Sequence, residues 1–388
     1  MNITIYPKKL SGSVTVIPSK SQAHRLLICA AFSDNSTTLI CRETNRDMDA
    51  TADCLRALGA QITKTRDGYS IHPIQNVPHQ AVLNCGESGS TLRFLLPIAG
   101  ALGVDAAFHM EGRLPKRPLS PLWEEMERMG CTLSRPTQNT IRCAGKLHAG
   151  DFRIDESVSS QFITGLLFAL SLIPGQSSLE TTGKIESRPY IDLTKQAMAH
   201  FGAPDYHSPG IVTVEGDWSN GAFWLAANKL GSSLSISGLS ETSVQGDRAV
   251  ADILSGIDAQ SSIDCADIPD LVPILAVTAA ANRGAVFQNI SRLRLKESDR
   301  VASVASMIRG LGGSIDTDKN SMTVYPSTFS SGIVDAAGDH RIAMAAAIAA
   351  TCAAGPVTIQ GAEAVNKSYP NFWAEYRRLG GNYEQHLR

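Results

Sequence analysis

The stretch Asp49-Ala50-Thr51-Ala52-Asp53-Cys54-Leu55-Arg56-Ala57-Leu58-Gly59-Ala60 carries the unit from which the fold is read. Its apolar side chains recur at three- and four-residue steps, which places one buried stripe on a helix. Gly59 then suits the left-handed backbone that follows many helices, after which the chain restarts as a strand. The same unit of helix, glycine cap and strand returns at Leu122-Trp123-Glu124-Glu125-Met126-Glu127-Arg128-Met129-Gly130-Cys131. It returns again at Leu193 to Gly202, Arg300 to Gly312 and Phe372 to Gly380, and more weakly at Val250 to Gly256. Six copies predict internal repetition, yet each is longer than the ~20 to 50 residues of a solenoid repeat, and they fall into two groups of three. The expected fold is therefore α/β (α+β) with two globular domains of three units each. The break lies near Val214-Glu215-Gly216-Asp217. Residues 18–216 form the first domain. The strand region Asn2 to Ile17 could pair with either half, and residues 1–17 are assigned with 217–388 to the second.

At 388 residues the chain exceeds the usual size of one core, in keeping with two domains. Hydrophobic residues make up 43% and charged residues 19%, a folded rather than a disordered composition. The net charge of -2, with no run of like charges, gives no bulk attraction to nucleic acid or anionic membrane. Any anion site must be local. Eight scattered cysteines, without a Cys-x-x-Cys pair or matching histidines, indicate neither zinc nor a disulfide framework and fit reduced thiols in a cytoplasm. The start, Met-Asn-Ile-Thr-Ile-Tyr-Pro, lacks a basic region followed by an apolar one. The longest apolar runs, Phe162 to Ile173 and Ile342 to Ala354, are too short to span a bilayer and predict buried helices.

Polar clusters interrupt this pattern before helices. They are Lys20-Ser21 with Arg25, Gly86-Glu87-Ser88-Gly89-Ser90-Thr91-Leu92-Arg93, Arg113-Leu114-Pro115-Lys116-Arg117-Pro118, Ser157-Val158-Ser159-Ser160-Gln161-Phe162 and Ser187-Arg188-Pro189-Tyr190. The second half adds Ile268-Pro269-Asp270, Arg294-Leu295-Lys296-Glu297-Ser298-Asp299-Arg300, Asp339-His340-Arg341 and Asn366-Lys367-Ser368-Tyr369-Pro370. Most of them sit at a helix start, where free N–H groups and the dipole favour an anion, and all but Ile268-Pro269-Asp270 add cations or hydroxyls. Each also has an ordinary explanation. The serines and Asp270 could be caps, the arginines solvated, residues 296–300 a surface ion network, and His340 a structural histidine. The joint pattern favours an anion site over these.

Taken together, these motifs resemble the 5-enolpyruvylshikimate-3-phosphate synthase family of enolpyruvyl transferases, over essentially the whole chain. Gly89 to Arg93 and Arg294-Leu295-Lys296-Glu297-Ser298-Asp299-Arg300 look like the family's two signatures. Ser159-Ser160-Gln161-Phe162, Asp339-His340-Arg341 and Lys367-Ser368-Tyr369-Pro370 agree independently. The resemblance implies two domains of three βαβαββ repeats each, the inside-out α/β barrel of the enolpyruvyl transferases, with substrates in the cleft between them. The implied substrates are shikimate 3-phosphate and phosphoenolpyruvate, and the implied reaction transfers the enolpyruvyl group to the 5-hydroxyl and releases phosphate, a step of aromatic amino-acid biosynthesis. No redox cofactor or metal is called for, no nucleic-acid or membrane partner is expected, and the resemblance suggests a monomer.

By the same resemblance, Lys20, Ser21, Arg25, Ser159, Ser160, Gln161, Ser187, Tyr190, Asp270 and Lys296 contact shikimate 3-phosphate. Lys20, Gly89, Arg117, Gln161, Arg300, Arg341 and Lys367 hold phosphoenolpyruvate, with Arg93 and Arg113 as supporting charges. Asp270 takes the hydroxyl proton, Glu297 handles the methyl proton, and Lys20 completes the catalytic set. Closure of the second domain is expected to desolvate them. Glu87 and Arg292 stand where the family often has Asn, and neither is counted as a ligand. Glu87 would oppose phosphoenolpyruvate unless it pairs with an arginine such as Arg93 or points away. The missing side chain at Gly89 implies room for glyphosate and hence sensitivity to it.

Three rivals are weighed. The enolpyruvyl transferase acting on UDP-N-acetylglucosamine uses a loop cysteine, and Gly112 to Pro118 has none; Cys131 reads as core. An RNA 3′-phosphate cyclase would need a nucleotide-accepting histidine and an RNA track. A non-catalytic phosphate-binding repeat protein would leave Asp270 and Glu297 without a reason to accompany the cations.

Overall fold

The computed structural model describes residues 1–155, 159–183, 186–257 and 261–386. The chain divides into two compact units, Pro18–Glu215 and Met1–Ile17 with Gly216–Arg388. Ser157 and Val158 of the Ser157–Phe162 cluster lie outside the described residues.

Among the described residues, six α-helices belong to the 18–215 unit: α1 (Lys20–Ala31), α2 (Arg46–Ala57), α3 (Gly89–Leu102), α4 (Leu122–Arg128), α5 (Ser160–Leu172) and α6 (Arg188–His200). One complete repeat shows the logic of all. Strands Gln80–Asn84 and Asp105–His109 run parallel, as they must when α3 crosses between them, and α4 leads into the antiparallel pair Cys131–Thr137 and Thr140–Gly145. A second sheet has the same order but takes its first strand, Ile211–Thr213, from the far end of the unit and sets it beside Thr37–Ile40. In the third repeat the parallel strands Asp151–Asp155 and Ser178–Thr182 form a two-stranded sheet, and no strand hairpin follows α6 among the described residues.

The other unit carries α7 (Trp218–Lys229), α8 (Val250–Gly256), α9 (Val272–Ala280), α10 (Arg300–Gly310), α11 (His340–Ala350) and α12 (Phe372–Arg378). Its two complete sheets have the strand orders Ser261–Asp264, Ala285–Gln288, Ser321–Val324, Ile315–Thr317 and Gly332–Asp335, Val357–Gln360, Asn2–Tyr6, Asn382–His386. Its third sheet again has two strands, Ser11–Thr15 parallel to Ser233–Ser237. Both N-terminal strands therefore pair within this unit. Among the described residues, each unit has two full βαβαββ repeats and one whose sheet has two strands.

The glycine caps behave as their position demands at Gly59, Gly130, Gly202, Gly312 and Gly380, all with positive φ. Gly256 differs: it is the last residue of α8 itself, in a backbone conformation open to any side chain. The apolar runs are buried helices. Every residue of α9 and α11 is buried, and α5 buries Phe162, Ile163, Leu166, Phe168 and Ala169. No helix among the described residues is long and apolar enough to cross a membrane. One packing detail matters for the site. A side chain on Gly165 of α5 would collide with the Arg93 carbonyl of α3. Its absence lets these helices approach closely, which sets Gln161, one turn earlier on α5, against α3.

Candidate active site

In the 18–215 unit, Ser19 caps α1 by accepting the Gln22 N–H at 3.4 Å. Lys20 follows and pairs with Asp47 of α2, Nζ to Oδ2 2.9 Å, both side chains largely buried. Arg25 turns inward. Its Nε donates to Thr194 Oγ1 at 2.8 Å, and its two terminal nitrogens donate to the Ser21 and Tyr190 carbonyls at 2.5 and 2.8 Å and to Thr164 Oγ1 at 3.4 Å. The guanidinium also lies 5.1 Å from the centre of the Phe94 ring. No carboxylate is among these partners, and burial pulls the Arg25 pKa down to about 10. A cation 2% exposed and solvated only by neutral groups is an electrostatic demand that an anion would satisfy.

Ser159 caps α5 by accepting the Gln161 N–H, with the buried Ser160 next in line. Gln161 then bridges to α3: its Oε1 accepts from Arg93 at 2.7 Å and its Nε2 donates to Ser90 Oγ at 3.0 Å. Arg93 also donates to the Pro118 carbonyl at 2.9 Å, tying down the loop that carries Arg113 and Arg117. Arg117 packs on the backbone of Gly89, where a built Cβ would stand 2.5 Å from its terminal nitrogen. Its Nε is buried without a hydrogen-bond partner, and the side chain has no ion pair among the described residues. The Glu87 side chain lies against Gly112, whose Cβ position its carboxylate already fills. Ser187, buried before α6, holds φ of 60°, a left-handed conformation that costs a non-glycine residue about 1–3 kcal/mol and clusters at functional sites.

In the other unit Asp270 is the centre of a cationic group. Its carboxylate accepts from Arg300 at 2.6 Å and Arg341 at 2.8 Å, with Lys296 Nζ at 3.8 Å. Arg300 is 1% exposed and also holds Glu297 at 2.7 Å and Asp339 at 2.8 Å. Asp339 caps α11 at the Arg341 N–H and accepts from Ser298. Burial would raise the Asp270 pKa, but Arg341, Lys296 and Arg300 outweigh it and hold the carboxyl well below its usual range. Burial also lowers Lys296 to about 8 despite Asp270 beside it. Lys367 ends the short turn Ala362–Lys367 that packs on α11. Arg292 sits in the turn Ser291–Leu295 and helps depress Lys296.

The ordinary explanations divide. Ser19, Ser88 and Ser159 do cap helices. Asp270 does not, since α9 has no side-chain cap, and Arg25, Arg93, Arg300 and Arg341 are buried rather than solvated. Sequence reasoning passed over Asp47, Thr164 and Thr194, which hold Lys20 and Arg25. The signal for Thr164 was a hydroxyl inside the apolar run Phe162 to Leu170. It also passed over Asp247, 3% exposed, which accepts from Ser219; burial and Asp270 raise its pKa to about 7.

The family model for EPSP synthase (3-phosphoshikimate 1-carboxyvinyltransferase) matches residues 5–262 and 258–376. A 3-phosphoshikimate 1-carboxyvinyltransferase of Clostridium kluyveri is 36% identical over 420 positions, covering 99% of this chain and 98% of that one. One of Clostridioides difficile is 35% identical over 430 positions, at 99% and 98% coverage. Among solved structures, an EPSP synthase of Acinetobacter baumannii superposes with TM-score 0.79 at 21% identity, covering 99% of this chain and all of that one. The enolpyruvyl transferase NikO of Streptomyces tendae gives 0.76 at 16% identity, at 100% and 99% coverage. These structures share the fold, and the family match with the full-length relatives settles the kinship: the chain belongs to the EPSP synthase family.

Proposed function

We propose that the chain transfers the enolpyruvyl group of phosphoenolpyruvate to the 5-hydroxyl of shikimate 3-phosphate. One observation carries the reading. Asp270 and Glu297 are held by the same arginine, Arg300, inside a group that also contains Arg341 and Lys296. Binding phosphate needs only the cations. Two carboxylates among them supply what the reaction additionally demands, a proton acceptor and a proton donor.

In this reading the 5-hydroxyl oxygen attacks C2 of phosphoenolpyruvate, its proton passes to Asp270, and C3 gains a proton from Glu297. The tetrahedral adduct then returns a C3 proton to Glu297 while Asp270 gives its proton to the departing phosphate, so both carboxyl groups recover their starting states and protons and charge balance over the cycle. Asp270 clamped by two arginines is a weak base. Substrate oxyanions would compete for the Arg341 and Lys296 donors, and as these move to phosphate and carboxylate, Asp270 regains proton affinity where the hydroxyl arrives. In the 18–215 unit Arg25 and Arg117, both without carboxylate partners among the described residues, supply anion-binding donors. Lys20, Ser21, Ser159, Ser160, Gln161, Ser187 and Tyr190 complete the shikimate 3-phosphate set, and Gly89, Arg300, Arg341 and Lys367 the phosphoenolpyruvate set. Both sets serve one reaction.

Eight free cysteines, seven of them buried, support a reducing cytoplasmic setting, and the enzyme is read as a monomer. Phosphate release from a mixture of both substrates tests the activity. Release only when UDP-N-acetylglucosamine replaces shikimate 3-phosphate would overturn it.

A further inference from the structure

We infer that His24 is a positioning residue for the phosphoenolpyruvate-binding groups of the 18–215 unit: its neutral ring starts a one-way hydrogen-bond chain through Thr51 and Thr91 to Ser88, fixing the starts of α1, α2 and α3 against one another. The inference rests on the function proposed above.

The chain is continuous and buried. His24 Nδ1 lies 2.7 Å from Thr51 Oγ1, Thr51 Oγ1 lies 2.7 Å from Thr91 Oγ1, and Thr91 Oγ1 donates to Ser88 Oγ at 2.7 Å. His24, Thr51 and Thr91 are 0% exposed and Ser88 1%. Its direction follows from counting hydrogens. Thr91 has one hydroxyl hydrogen and spends it on Ser88, so Thr51 donates to Thr91. That uses the hydrogen of Thr51, so His24 donates from Nδ1. Nε2 is then a bare lone pair, which accounts for its being buried without a partner among the described residues. A protonated ring would bury an N–H with nothing to receive it; the Asp47 carboxylate nearby favours the charged ring, but burial outweighs it, with the cations Lys20 and Arg25 adding to the cost. Burial accordingly pushes the His24 pKa down to about 3. Phe94 packs against the ring edge-on, with centroids 6.3 Å apart.

Each member of the chain sits behind a site group. His24 is four residues after Lys20 on α1, and Thr51 is four residues after Asp47, the partner of Lys20, on α2; such pairs share a helix face. Ser88 and Thr91 bracket Gly89 and Ser90, the first packed on Arg117 and the second bonded to Gln161. Breaking the chain lets the Lys20–Asp47 pair and the start of α3 shift relative to each other, and these are the groups read as holding phosphoenolpyruvate.

The test compares His24→Leu, Thr51→Val, the double variant and His24→Asn in the full chain, with steady-state kinetics for both substrates and thermal unfolding. Each single variant is expected to raise KM for phosphoenolpyruvate about fivefold, the change that ~1 kcal/mol makes, with KM for shikimate 3-phosphate moving less. The double variant should be no worse than the poorer single one, because both cut the same chain. His24→Asn keeps a side-chain N–H at the position of Nδ1 and should restore KM to near the original value. If His24→Leu does not fold, the nearly isosteric Thr51→Val carries the test. A lowered unfolding temperature with unchanged KM in Thr51→Val, or no recovery in a folded His24→Asn, would overturn the inference. Absence of turnover in the unaltered enzyme would instead overturn the functional reading, so the two failures are distinguishable.

Discussion

Replacing Gly89 with alanine should separate stability from binding, because the two effects have opposite signs. Gly89 is the first residue of α3 and has no positive φ, so a methyl group fits the backbone, and Gly→Ala in a helix gains up to about 1 kcal/mol. The methyl carbon would stand 2.5 Å from a terminal nitrogen of Arg117 and 3.1 Å from its Cζ. An ordinary contact needs almost 1 Å more, by roughly the van der Waals spacing of such atoms. Arg117 can give way, since its side chain is tied to no partner among the described residues, and the fold is spared. Its guanidinium moves off the position in which it would meet phosphoenolpyruvate. Losing one charge-assisted contact costs about 1.5–3 kcal/mol, or roughly 10- to 150-fold in affinity. Steady-state kinetics with each substrate varied in turn, alongside thermal unfolding, is the assay. The expected result is a KM for phosphoenolpyruvate raised at least tenfold, KM for shikimate 3-phosphate nearly unchanged, and an unfolding temperature equal or higher. An unchanged KM for phosphoenolpyruvate with Ala at 89 would refute the placement of Arg117 beside that substrate.

Further outcomes follow from the same geometry. Glyphosate should inhibit competitively with phosphoenolpyruvate and lose potency in Gly89→Ala; full activity at high glyphosate would count against an open space at Gly89. Asp339→Ala leaves Arg300 buried with one fewer carboxylate and uncaps α11, and should lower unfolding free energy by about 3–5 kcal/mol in urea titrations; a change under ~1 kcal/mol would show that Asp270 and Glu297 alone compensate Arg300. His24, held near 3 against an ordinary value near 6.5, takes its proton in the unfolded chain first as pH falls. The stability of its neutral ring is thus full above about pH 6.5 and declines by up to ~1.4 kcal/mol per pH unit toward pH 3. Urea midpoints across that range should fall less steeply in His24→Asn, and identical slopes would show that another group sets the acid dependence.

The parts of this molecule that were legible in the sequence are those whose physics is local. A glycine that must adopt positive φ marks the end of a helix wherever it stands, so Gly59, Gly130, Gly202, Gly312 and Gly380 announce the repeats. The apolar runs that became α5 and α11 needed only their composition. Gly256 shows the limit, because a glycine in the last turn of a short helix reads the same whether or not the backbone turns left-handed. Two things required tertiary structure. The strand Ile211–Thr213 joins a sheet whose neighbour is Thr37–Ile40, a pairing no local pattern encodes, and the two-stranded third repeats have no local signature either. Likewise, Arg25 could be picked out as a cation at a helix start, but its burial among Thr164, Thr194 and two carbonyls depends on α6 packing on α1 and α5 packing on α6. Asp47 and Asp247 escaped notice for the same reason: a carboxylate becomes a partner through approach, not spacing.

The account stands on Asp270 acting as a proton acceptor within a group of anion-binding cations. The most direct measurement mixes the purified chain with shikimate 3-phosphate and phosphoenolpyruvate and follows inorganic phosphate, beside the Asp270→Ala variant and calorimetric binding of shikimate 3-phosphate. Phosphate should appear only when both substrates are present, vanish in the variant, and leave binding of shikimate 3-phosphate within about tenfold, ~1.4 kcal/mol. Undiminished phosphate release by Asp270→Ala would contradict it.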